Sequence, residues 1–188
     1  MTRSVLELRQ GVIDDIANNM PGVSDIGRVA IIPHAGQFTA DEIKRVGAKA
    51  PCIFISTIAM ANIGNDSLGD HAEIAFAAVI VTKSTSAIRR DLSAMALANT
   101  FAVHLTENCW GMDEVRRKPQ KVNGRNLYTA KMNKEGVAMW GFTWSQWMTI
   151  GGLGDPASLA AFLTYNADHS LAPGTDEPAA IDQVALPQ

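Results

Sequence analysis

His34, Asp66, Asp70 and His71 are the residues whose types suit hydrolytic or metal chemistry. A histidine beside carboxylates can act as a general base or join them in holding a metal ion. His34 sits next to Pro33 and close to Gly36, and Asp66, Asp70 and His71 share one turn-rich stretch. That stretch lacks the ordered oxygen-ligand spacing of a calcium loop. A lone histidine at a strand end is more commonly a hydrogen-bonded structural residue. His71-Ala-Glu73 matches the H-x-E of zinc deaminases, and Pro51-Cys52 echoes their P-C-x-x-C. Ile55 occupies the second cysteine position, however, and the two fragments come in reverse order. Cys52 in an apolar strand and Cys109 near a helix end read as ordinary thiols. There is no G-x-S-x-G elbow, no phosphate loop ending in Gly-Lys and no H-E-x-x-H. Gly151, Gly152 and Gly154 have the wrong spacing for a dinucleotide fingerprint, and the segment after them is acidic. The expectation is therefore no catalytic residue, no cofactor and no metal.

The elements that would position these residues can be read from capping and periodicity. Ser4-Val-Leu-Glu7 is a capping box, and Val5, Leu8, Val12 and Ile16 follow at helical spacing, widened by Leu6 and Ile13. Arg28 to Ile32 predicts a short strand that Pro33 ends or marks as an edge. Thr39 to Glu42 is a second capping box, opening a short helix that Gly47 closes. Pro51 to Met60 predicts a strand, Asn62 to Asp70 a turn, and Ala72 to Val81 a strand apolar on both faces and therefore central. Ser84, Thr85 and Ser86 offer an N-cap for a long helix to about Asn108. Its stripe is Ile88, Leu92, Met95, Ala102 and Val103. Leu97 and Phe101 lie off the stripe's centre, a width that suits a broad core contact or a neighbouring subunit. Asn123-Gly124 predicts a hairpin turn. Asn126 to Met132 and Val137 to Thr149 predict two strands. The second carries Trp140, Phe142, Trp144 and Met148 on one face and Met139 and Trp147 on the other. Asp155-Pro156 opens a short helix with Leu159, Phe162 and Leu163, and an extended tail follows from Asn166. The predicted class is α+β: a mixed, mainly antiparallel sheet packed with one N-terminal and one long helix, plus an extended C-terminal tail. Residues 1–152 form the domain and 153–188 an acidic extension.

The chain has 188 residues, 47% of them hydrophobic and 19% charged, with a net charge of -3. That is enough for a sizeable core and too apolar for a mainly disordered chain. No apolar run is long enough to span a bilayer, and no secretory core opens the sequence. Two cysteines cannot make a disulfide scaffold or complete a zinc site alone. A soluble intracellular domain is expected. The charge is unevenly placed: all 16 Lys and Arg precede Glu135, and residues 135–188 carry acids and no base. Arg116, Arg117, Lys118, Lys121, Arg125, Lys131 and Lys134 form a basic run. Such a run is either a solvated face or a contact for an acidic surface or nucleic acid. Only Tyr128 interleaves it, which argues against a single-strand stacking platform.

Together these segments resemble the tail-terminator (tail-completion) family of Mu-like tailed bacteriophages. The resemblance rests on several stretches: the capped helix from Ser4, Pro33-His34-Ala35-Gly36 with Phe38, the strand Ala50 to Ile55, and the helix from Ala87 with Arg89 and Arg90. Its strongest part is Gly136 to Gln146 after Asn126-Leu-Tyr128. The match covers roughly residues 3–150. Its motifs are patterns of hydrophobicity and turns, and the segment from Leu153 on lies outside it.

The resemblance implies a virion structural protein that forms a homo-oligomeric ring, usually of six, at the head-proximal end of the tail tube. The ring stops tube polymerisation and joins the tail to the neck or connector of the capsid. Its partners are other copies of itself, the tail tube protein and the neck. DNA passes through the hole without being read, and no cofactor, catalysis or membrane is implied. The expected location is the tail–head junction, and the host cytoplasm during assembly. A chain of this length has a radius of gyration of about 16 Å, so six touching subunits leave a hole of roughly 40 Å. Candidate interface residues are Arg89, Arg90, Leu97, Phe101, Arg116, Arg117, Lys121, Trp147, Leu159 and Phe162. The alternatives are another neck or head–tail connector protein, and a small metal-dependent hydrolase built on His34, Asp66, Asp70 and His71.

Overall fold

The computed structural model describes residues 3–23, 29–36, 49–127, 129, 134–152, 164–169 and 180–185. The fold is α+β. Helix α1 spans Val5–Asn19. Its capping box is formed: Ser4 Oγ accepts from the Glu7 N–H, and the Ser4 N–H donates to Glu7 Oε2 at 2.7 Å. Leu8, Val12, Ile13 and Ile16 face the core as their spacing requires.

Five strands form one sheet: β1 (Ala30–Pro33), β2 (Cys52–Asp66), β3 (Gly69–Lys83), β4 (Gln120–Asn126) and β5 (Val137–Thr149). Their order is β1-β2-β3-β5-β4. Strand β1 is an edge and pairs parallel with β2; the other pairings are antiparallel. Strand β3 is central, as its two-sided apolar pattern predicts. Ala72, Ile74, Phe76, Ala78 and Ile80 face α1 and the second helix, whereas Val79 and Val81 pack with Cys52, Phe54, Val137 and Met139 on the opposite face.

Two strand boundaries differ from expectation. The turn-rich stretch from Asn62 is mostly strand: β2 runs to Asp66 and β3 starts at Gly69, leaving Ser67 and Leu68 as the tip. Ladder hydrogen bonds outweigh local turn preference there, and two register shifts in β2 absorb the mismatch. Asn123-Gly124 lies inside β4 and makes no turn. A Cβ at Gly124 would stand 2.6 Å from Cε1 of Phe142, so this glycine makes room for an aromatic ring on β5.

Helix α2 spans Arg90–Thr106 and starts later than the hydroxyl run suggests. Thr85 Oγ1 instead accepts from the N–H groups of Ala87 and Ile88, and Ser84 Oγ accepts from the Arg90 N–H. Its core face is also rotated from the predicted one. Ala94, Ala98, Phe101 and Leu105 are buried, while Leu92, Met95 and Val103 face outward. The two alanines let the helix lie close to the sheet, and Phe101 fills the space beyond them, 5.0 Å from the Phe142 ring.

The C-terminal segment forms a separate compact unit. In it β6 (Thr164–His169) and β7 (Ala180–Ala185) are extended, as expected of the tail, and pair antiparallel with each other. The predicted helices from Thr39 and from Asp155, and most of the strand predicted over Asn126 to Met132, lie outside the described residues.

Candidate assembly surface

Three features of the domain could do something: a polar cluster at the tip end of the sheet, an apolar stripe on α2, and a cavity at the start of α2. The cluster gathers three of the four residues considered for hydrolysis. His71 Nδ1 lies 3.4 Å from Asp66 Oδ2, and Asp70 accepts from Asn65 Nδ2 at 2.7 Å. Asp66 is already engaged by Arg116, whose Nη1 stands 2.6 Å away and holds the carboxyl below the usual carboxylate range. Arg116 also donates to Thr149 Oγ1 at 2.8 Å and to the Gly69 carbonyl at 3.1 Å. It is thus a clamp on the hairpin tip, not the outward-facing contact expected of it. His34 is not part of the cluster. Its N–H donates to the Ile55 carbonyl, whereas His71 is in register with Gly64, much further along β2. Among the described residues no group of His, Cys, Asp and Glu could hold a metal ion.

Glu73, beyond the H-x-E test, carries no sequence signal of its environment. It is buried on the sheet face opposite the helices and accepts from Lys121 Nζ at 2.7 Å, Ser145 Oγ at 2.6 Å and Asn62 Nδ2 at 2.8 Å. These bonds, Lys121 foremost, hold its carboxyl at about 2. The basic run is therefore partly used within the chain: Arg116 on Asp66, Lys121 on Glu73, and Lys118 on Glu107 at 3.2 Å. Arg117 is exposed, and Trp147 is half-buried with its ring 5.4 Å from His71.

A second network escapes sequence reading altogether. His104 Nε2 and Asn108 Nδ2 both reach Asp15 Oδ1, at 2.8 and 2.9 Å. Asn108 Oδ1 accepts from the Trp110 N–H, and Trp110 Nε1 donates to Gln146 Oε1. The network ties α1, α2 and β5 together. The i, i+4 spacing of His104 and Asn108 is the only local clue to it.

The outer face of α2 has a different character. Leu92, Met95 and Val103 are exposed, Val103 at 73%, with Ile88 exposed just before the helix begins. Leu97 is half-buried against the core. Phe101 is fully buried and belongs to the chain's own core, so it is not surface for a neighbour. Arg89 is exposed and pairs with Asp91 at 2.9 Å, and Arg90 is half-buried. Both arginines line a cavity of about 460 Å³ with Ala94, Met95, Val137 and Trp140. Leu159 and Phe162 lie outside the described residues. No protein-family model and no curated protein matches the chain.

Proposed function

We propose that this chain is a phage tail terminator, a subunit whose copies close into a ring on the tail tube and end its growth. The observation that carries the reading is the apolar outer stripe of α2: Leu92, Met95 and Val103, approached by Ile88. The helix is anchored to its own core by Ala94, Ala98, Phe101 and Leu105, and among the described residues its second apolar stripe is left exposed. Apolar side chains exposed on one face of a helix, here with Asn99 among them, suit a protein contact. The sequence resemblance supplies the setting, and in the polar cluster Arg116 is paired with Asp66.

Within this reading the five-stranded sheet is the rigid body of the subunit, and the stripe is one side of a contact between copies. The partners are other copies, the tail tube and the neck of the capsid. Imaging complete particles tests the proposal. A ring of this protein is expected at the tail–head junction, and particles made without it should carry tubes of uncontrolled length. Normal tail lengths without the protein would refute the reading. A ring found on the capsid side alone would favour a connector instead.

A further inference from the structure

We propose that the β2–β3 hairpin tip of one copy, led by Leu68, seats in the cavity at the start of α2 of the next copy. This rests on the ring reading and names the contact that would build the ring. Leu68 is 71% exposed at a position where turns usually carry polar residues. It is presented rigidly. Its N–H donates to Asp66 Oδ1 at 2.8 Å, Gly69 takes a φ of +99° that completes the turn, and Arg116 clamps both Asp66 and the Gly69 carbonyl. A knob fixed in this way loses little entropy on docking.

The cavity is complementary in both respects that matter. Its apolar lining is Ala94, Met95, Val137 and Trp140, open to a leucine side chain. Arg89, Arg90 and Asp91 line it, two bases against one acid with Arg89 paired to Asp91, whereas the tip carries two acids, Asp66 and Asp70, against one base, Arg116 on Asp66; the net charges are opposite. Met95 belongs to both the cavity and the apolar stripe, so a tip seated there continues onto the outer face of α2. The two surfaces lie at opposite ends of β3, which leaves the tip at Gly69 and reaches the cavity end at Lys83. At about 3.3 Å per residue the strand separates them by roughly 46 Å. They cannot meet within one chain. Tip-to-cavity docking is therefore heterologous, the head-to-tail kind of contact that closes into a ring when the rotation permits.

Disulfide trapping tests the contact. The background carries Cys109→Ser; Cys52 is buried and its thiol is pushed up to about 11, which keeps it unreactive. Three variants of the full chain are oxidised: Leu68→Cys, Met95→Cys and the double variant. The double variant should give a ladder of covalent multimers, and each single variant should remain one chain long. In the chain with native cysteines, Leu68→Asp should weaken self-association at least tenfold while leaving the melting temperature unchanged. Dimers of the Leu68→Cys single variant would mean a tip-to-tip contact and overturn the proposal. Oligomers by native mass without a ladder would also overturn it and leave the ring reading standing. A ladder from a protein absent from the tail–head junction would keep the contact and remove the proposed function.

Discussion

His104 on α2 and Asp15 on α1 meet at 2.8 Å, with both side chains about nine-tenths buried. This pair, with Asn108, is the polar joint between the two helices on one face of the sheet. Replacing Asp15 with Ala removes the acceptor that His104 Nε2 and Asn108 Nδ2 share and leaves them only each other, 2.9 Å apart, so one donor of the pair goes unpaired. A buried donor left unsatisfied costs about 1–3 kcal/mol. Urea denaturation should show a loss of that order for Asp15→Ala. A midpoint equal to wild type would show that water replaces the carboxylate at no cost.

Glu73 makes stability depend on acid. Its carboxyl is held at about 2, against an ordinary 4.5, by Lys121, then Ser145, then Asn62, with burial acting the other way. The unfolded chain therefore binds the proton first as pH falls. The contribution of Glu73 is complete above about pH 4.5 and disappears as pH drops towards 2. Glu73→Gln should lower stability at neutral pH and flatten its decline between these limits. Asp66 and Glu7, both also depressed, preserve some slope. Denaturation midpoints measured across this range decide the point, and identical slopes for the two proteins would count against it.

Gly124 yields a steric prediction. Its missing Cβ accommodates the ring of Phe142, so Gly124→Ala should cost about 1–3 kcal/mol by overpacking. Phe142→Leu should recover part of that loss in the double variant. Additive effects of the two substitutions would show that they do not meet.

The same glycine explains why parts of this fold were not legible. Asn-Gly is a local turn signal, and here a contact with another strand decides the conformation. The capping box at Ser4 and Glu7 was legible because every atom it uses lies within one helical turn. The central place of β3 was legible because Ala75, Ala77, Val79 and Val81 alternate with Ile74, Phe76, Ala78 and Ile80. The phase of α2 differs from its apolar pattern for a physical reason. The apolar pattern favours larger residues for the core, yet the helix approaches the sheet through Ala94 and Ala98 and leaves Leu92, Met95 and Val103 outside. The bonds around Glu73 and Asp15 join residues far apart in the chain, and no spacing rule reaches them.

Two substitutions on α2 separate core from surface. Phe101→Ala should cost about 3–5 kcal/mol, since the side chain is fully buried against Phe142 and Trp144. Val103→Glu, two positions on and exposed, should change stability by less than about 0.5 kcal/mol. Only the second should abolish self-association while leaving a folded chain. Native mass and thermal melting on the same samples check both halves. Val103→Glu oligomers as stable as wild type would mean that the outer stripe carries no contact.

The acidic extension gives the last expectation. The described hydrophobic cores of the domain are built from residues between Val5 and Ile150, and the segment from Leu153 to Gln188 forms its own unit. Removing residues 155–188 takes nothing from those cores, so the truncated chain should melt within a few degrees of the full chain. Its assembly should suffer more than its folding if Leu159 and Phe162 serve as apolar anchors on a partner. Burying each such side chain contributes about 1.5–3 kcal/mol, whereas an exposed ion pair contributes up to about 1 kcal/mol. Replacing Leu159 and Phe162 with Ser should therefore weaken assembly more than reversing the charges of Asp176 and Glu177. Particle yield measured for the three variants ranks them. Equal yields from the truncated and full chains would make the extension dispensable, and the stronger effect from the charge reversals would make electrostatics its attachment.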